Sequence, residues 1–145
     1  MQDLYNNVDA VHAFTGTLSG SPGLSSAAID LQFYESCDVV LALDNMDELG
    51  TSPVGTASAS LALDHSTDGT TWTACVLADV IGPTTALSDG IVATTTGEYT
   101  TIHGGYRMER RYIRVRAEHT GLTNGGTVTA IVLKGRFRHE GGVTV

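Results

Sequence analysis

A chain of 145 residues with 41% hydrophobic and 17% charged residues can close one core without a metal or disulfide staple, and its composition excludes wholesale disorder. Its formal net charge of −8 is unevenly spread: 13 acidic and no basic side chains precede Arg107, whereas all eight Lys and Arg residues and three acidic ones lie from there on. Such asymmetry speaks to association and partners rather than to fold.

Residues 1–23 are weakly patterned. A first strand is expected around Val11-His12-Ala13-Phe14-Thr15, a break at 19–23, and the whole stretch is a candidate N-terminal arm of one domain spanning 1–145. The opening residues lack the basic and apolar regions of a signal peptide, and no run reaches membrane-spanning length, so a soluble product made in the cytoplasm and no membrane partner are expected. From Ile29 on, Ile29, Leu31, Phe33, Cys37, Val39, Leu41 and Leu43 share one parity, and Asp30, Gln32, Tyr34, Asp38 and Asp44 the other. This period of two predicts two strand segments joined at a bend near Glu35-Ser36, one face apolar and the other carrying carboxylates. A loop follows over 45–56, with one helical turn expected at Met46-Asp47-Glu48-Leu49.

Residues 57–64 alternate again with Ala59, Leu61 and Leu63 inward. Asp68-Gly69 then predicts a tight hairpin into a strand over 71–77, because glycine accepts the positive φ of primed turns; Trp72 is expected on the core or at a subunit contact. Residues 79–98 show turns at Gly82-Pro83 and Asp89-Gly90 around short edge pieces. From Arg110, the residues Arg110, Tyr112, Arg114 and Arg116 alternate with Ile113, Val115 and Ala117. After a turn over 121–126, Thr129, Ile131, Leu133 and Phe137 are expected inward, and Lys134, Arg136 and Arg138 outward. Seven or eight strands and no convincing helix predict an all-β, antiparallel β-sandwich of Greek-key or jelly-roll type.

Catalytic and metal sites find no support in spacing. The five histidines make no close pair, Cys37 and Cys75 read as buried thiols, and no nucleophile elbow or phosphate loop occurs. An acid/base pair at Asp64 and Asp68 across the hairpin is disfavoured, because such spacing arises by chance. The stretch Ser66 to Trp72 misses the sialidase Asp-box by one residue. Nucleic acid is an unfavoured partner, since the sequence pI near 4.8 repels a polyanion. No cofactor is expected, and the chain is read as non-enzymatic.

Three stretches carry a family resemblance: 29–39 (Ile-Asp-Leu-Gln-Phe-Tyr-Glu-Ser-Cys-Asp-Val), 63–72 (Leu-Asp-His-Ser-Thr-Asp-Gly-Thr-Thr-Trp), and Gly105-Tyr106-Arg107 with Arg111-Tyr112-Ile113-Arg114-Val115, closing on Gly125-Gly126-Thr127 and Gly135-Arg136. Together they resemble a family of small virion structural proteins of tailed bacteriophages and prophages, over most of residues 28–138. The proline near that family's C-terminus is absent here. The resemblance implies a capsid decoration or cement protein on the virion surface, binding the major capsid protein and itself as a dimer or trimer. A carbohydrate-binding sandwich or a tail or head–tail module is the alternative.

An interaction face is expected from the charge pattern. If residues 127–138 pair with 110–118 as a hairpin, Arg110, Tyr112, Arg114 and Arg116 share one surface with Lys134, Arg136 and Arg138. Like charges so placed repel, which a partner bearing carboxylates such as Asp30, Asp38 and Asp44 of a neighbouring copy would relieve.

Overall fold

The computed structural model describes residues 8–19, 23–46, 57–82, 87–97, 99–122 and 124–137. The expected helical turn at 46–49, and Arg138 of the expected basic face, fall largely or wholly outside these residues, as do the side chains of Arg136 and Phe137. Among the described residues the chain forms eleven strands and no α-helix. They are β1 (Val8–Leu18), β2 (Leu24–Ser25), β3 (Ile29–Asp30), β4 (Tyr34–Asp44), β5 (Ser58–Ser66), β6 (Thr73–Ala74), β7 (Val80–Ile81), β8 (Ile91–Thr95), β9 (Thr100–Tyr106), β10 (Tyr112–Thr120) and β11 (Gly126–Phe137). Four are two-residue pieces, so the seven longer strands match the count read from the alternation.

Two antiparallel sheets pack face to face. The first has the order β1-β11-β4-β9-β7. The second is centred on β10 and β5, with β2 and β3 both pairing β10 and with β6 and β8 both pairing β5. The chain is thus an all-β sandwich. Residues 8–18 of the candidate arm are an edge strand, joined to β11 over ten register pairs with a shift between His12 and Phe14.

Alternation places the core where period-two strands demand. Val39 and Leu41 of β4, Leu61 and Leu63 of β5, and Ile113, Val115 and Ala117 of β10 are fully buried, and Ile29 and Leu31 nearly so. The break expected at Glu35-Ser36 lies two to three residues earlier. Residues 31–33 carry the chain from the second sheet to the first, and Phe33 adopts φ 74° there, half-buried rather than in the core. The Asp89-Gly90 turn has both residues at positive φ (51° and 77°), with Ile91 N–H bonded to Ser88 O at 3.0 Å, a primed turn. A Cβ on Gly90 would lie 2.4 Å from Leu63 O, so only glycine fits against β5.

The closing hairpin does not form. β10 pairs with β5, and β11 pairs with β1 and β4, so the two basic strands belong to different sheets. The parity of β11 is also opposite to the expected one: Val128, Ala130 and Val132 are fully buried, whereas Ile131 is 37% exposed and Leu133 half-buried. The stretch Ala130-Ile131-Val132-Leu133 is apolar on both faces, so size favours the wrong set. Small inward residues suit this central strand because Ala130 sits beside Leu41, which fills the space between the sheets.

Candidate functional site

Three places gather chemistry: the outer face of the second sheet, the outer face of the first, and the end of the sandwich where the chain crosses between them.

On the second sheet, Tyr112, Arg114 and Arg116 of β10 stand outward beside Ser66, Asp64 and Ala62 of β5. Arg114 donates through Nη2 and Nε to Asp64 Oδ2 at 2.5 and 3.1 Å. Arg116 Nε lies 3.0 Å from the same oxygen without the alignment of a hydrogen bond, and its Nη1 is paired with Glu118. Asp64 is 4% exposed under these two cations. Arg114 also covers the Trp72 ring at 4.9 Å, and Arg111 covers Tyr112 at the same distance. Arg111, which the expected face did not include, precedes β10 and grips Asp30 with two bonds of 3.0 and 2.6 Å. Arg110 donates to Thr73 Oγ1 at 3.3 Å.

The expected basic face is therefore corrected on two counts. Lys134 follows the inward parity of β11, is 9% exposed, and lies 2.8 Å from Asp9 Oδ2 with its ammonium 4.4 Å from the Tyr34 ring centroid. The arginines of β10 meet carboxylates of their own chain, across strands far apart in sequence. Nor do Asp30, Asp38 and Asp44 form one acidic strip: Asp30 belongs to the second sheet, while Asp38 and Asp44 lie on β4 of the first. Asp38 is 4.0 Å from His103 Nδ1.

The hairpin carboxylate is consumed locally as well. Asp68 accepts the Thr70 and Thr71 N–H groups at 2.8 and 2.7 Å, and Ser66 Oγ–H at 2.8 Å. These donors, Thr71 N–H foremost, hold it well below the ordinary carboxylate range. Asp64 and Asp68 are thus engaged separately, Asp64 by the arginines of β10 and Asp68 by its own loop. Trp72, expected on the core or at a subunit contact, lies on the outer face under Arg114 and not in the core.

Three depressed carboxylates give a pH expectation. The hydrogen bond from Lys134 lowers Asp9, that from Arg111 lowers Asp30, and loop amides lower Asp68. A group whose folded pKa is lowered stabilises above its unfolded value and loses that contribution as pH falls through the folded one. Burial also pushes His65 below its ordinary value. The urea midpoint should decline gently below about pH 6.5 and steeply below about pH 4. A midpoint level down to about pH 2 would contradict these pairings.

The first sheet presents a different outer face. Leu133 of β11, Val8 of β1 and Ile81 of β7, with Asp38 and His103 between them, line a shallow groove of about 440 Å³ that includes Gly105 and Gly135, and Ile131 stands outside it on the same face of β11. Val8, Ile81 and Ile131 are 40%, 55% and 37% exposed. A Cβ on Gly105 would stand 3.1 Å from Ile81 Cβ, so a side chain there would crowd the groove floor. Sequence reasoning assigned Ile131 and Leu133 to the core; the apolar character of both β11 parities was the available signal of a second apolar face.

At the crossover end, His65 of β5, Cys75 just past β6 and Asp79 of the 3-10 turn Leu77–Asp79 bring their ligand atoms within 4.8 Å of one another. Both cysteines are buried free thiols, and burial pushes each up to about 12. The histidines show no pairing in sequence, but the hairpin aligns His65 with Thr73, two residues before Cys75.

No family model matches the chain, and no curated protein matches its sequence. Among solved structures, the fold is similar to that of PBSX exported protein XepA, with a TM-score of 0.57 over 94% of this chain at 14% sequence identity. The chain spans 40% of the length of that protein, and at this identity the likeness is one of fold.

Proposed function

We propose that this protein is a non-enzymatic structural component of a tailed-phage particle, a decoration or cement subunit that docks on the outer capsid shell and on other copies of itself. The observation that carries the reading is the outer face of the first sheet, where exposed Val8 and Ile81 on the two edge strands and half-buried Leu133 line a largely apolar groove, and Ile131 stands exposed on the same face of β11. Exposed apolar patches of this kind mark protein contacts. Support comes from the sequence resemblance to small virion proteins, and the fold likeness to PBSX exported protein XepA adds a matching architecture. The carbohydrate-binding alternative loses ground because Trp72 and Tyr112 are covered by Arg114 and Arg111, which occupies the ring faces a sugar would stack on.

The basic strand, earlier the natural docking element, is a weaker choice. Its charges are engaged within the chain, so replacing Arg114 would disturb Asp64 before it touched a partner. The mechanism therefore shifts from ion pairing to apolar burial at the first sheet.

The test is co-sedimentation of purified protein with expanded empty capsids built from the major capsid protein encoded in the same phage genome. Saturable binding is expected, insensitive to salt between about 0.05 and 0.5 M because apolar contact is not screened. Ile131→Asp and Ile81→Asp should remain folded and weaken binding at least tenfold. Binding lost in high salt but intact in Ile131→Asp would return the contact to charged groups. No binding at micromolar protein would remove the decoration role.

A further inference from the structure

The geometry points to a zinc site formed by His65, Cys75 and Asp79, clamping the two sheets together at the crossover end of the sandwich. The three side chains offer nitrogen, sulfur and oxygen ligands, the donor set that a borderline-soft divalent ion takes. Their ligand atoms lie within 4.8 Å of one another. A tetrahedral ion with bonds of about 2.0–2.3 Å spaces its ligands about 3.4–3.8 Å apart, so a small rotation of the side chains closes the set.

Several features prepare these residues for an ion. His65 and Cys75 are 4% and 1% exposed. His65 Nε2 lies 3.8 Å from Asp79 Oδ2, too far for a hydrogen bond yet directed at the carboxylate. The other ring nitrogen, Nδ1, is 3.0 Å from Tyr106 Oη, which accepts Arg110 N–H at 2.8 Å. With the proton on Nδ1, donated to Tyr106 Oη, Nε2 carries its lone pair toward Cys75 and Asp79. That is the outer-shell arrangement by which metal-binding histidines are oriented. Tyr106 also stands edge-on to His65, with ring centroids 5.9 Å apart.

Asp79 is held as firmly. Its Oδ2 accepts Val76 N–H at 2.8 Å, its own N–H bonds Val76 O at 2.9 Å, and its carbonyl accepts Arg107 N–H at 2.7 Å. The same Oδ2 is the oxygen 3.8 Å from His65 Nε2, and a carboxylate oxygen that accepts one N–H keeps a second lone pair for an ion.

The site bridges the two sheets. His65 belongs to the second sheet and Tyr106 to the first, and the chain between β6 and β7 passes from one sheet to the other with two-residue strands at each end. On binding, the Cys75 thiol loses its proton to solvent as the sulfur–metal bond forms. Three protein ligands leave a fourth position for water or an incoming side chain.

Cobalt(II) serves as the spectroscopic probe and zinc(II) as the competitor, on the full chain under reducing conditions. One equivalent of cobalt should produce a thiolate-to-metal charge-transfer band with the intense visible bands of a tetrahedral ion, and zinc should displace it. Zinc at about 100 times its Kd should raise Tm by roughly 5–10 °C. Cys75→Ser should abolish the charge-transfer band. Cys37→Ser should leave it unchanged. Tyr106→Phe should keep the band and weaken affinity about 10–100-fold. Should Cys75→Ser fail to fold, Asp79→Asn, nearer the surface, should cost at least tenfold in affinity with the band still present. Absence of a one-per-chain cobalt complex, or a full charge-transfer band in folded Cys75→Ser, would overturn the site.

Discussion

Asp64→Ala is expected to destabilise the folded protein by about 3 kcal/mol, at the lower end of the cost of breaking a buried ion pair. Asp64 stands on the outer face of β5, yet its side chain is 6% exposed because Arg114 and Arg116 lie over it. Removing the carboxylate leaves two guanidinium groups facing each other with no acceptor between them. Arg114 retains 30% exposure and Arg116 17%, so water recovers part of the loss and the full buried-pair cost does not apply. Arg114→Gln should cost less, since Arg116 then still faces Asp64. Urea denaturation of the two single variants and the double variant measures the coupling. If Asp64→Ala lost under about 0.5 kcal/mol, the network would be an ordinary surface arrangement.

Leu41→Ala is expected to cost about 2–5 kcal/mol, against under about 1 kcal/mol for Ile131→Ala. Leu41 is fully buried on β4 between the sheets, while Ile131 is 37% exposed on the neighbouring strand β11. The contrast reads the orientation of both strands in one experiment. Equal losses would mean that a second protein surface covers Ile131 under the conditions of measurement, and the loss at Ile131 should then fall on dilution. A larger loss at Ile131 than at Leu41 would reverse the inward face of β11.

Two sets of residues misled sequence reasoning, each for its own physical reason. Alternation identifies which residues of a strand share a face, but not which face is inside when both are apolar. β4 resolves itself, since Cys37, Val39, Leu41 and Leu43 oppose Asp38, Ala42 and Asp44. β11 does not, because Val128, Ala130 and Val132 compete with Ile131 and Leu133. The carboxylate partners of the arginines were equally hidden: Asp30 and Asp64 lie 81 and 50 residues from Arg111 and Arg114. The local pattern holds no trace of such distances.

By itself the sequence determined the all-β class, the inward faces of β4, β5 and β10, and the Asp89-Gly90 turn. The reversal at Asp68-Gly69 was legible too, but as a wider loop in which Gly69 and not Asp68 has positive φ and only Thr73-Ala74 of the expected strand pairs with β5. These depend on side chains within a few residues of one another, where the pleat and the φ tolerance of glycine act directly. Only the tertiary structure decided that β10 and β11 part into different sheets, that Arg111, Arg114 and Arg116 meet acids of their own chain, and that His65, Cys75 and Asp79 converge. Each of those results depends on which strands become neighbours. Strand pairing is settled by the burial of both sheets together, a condition no single segment carries.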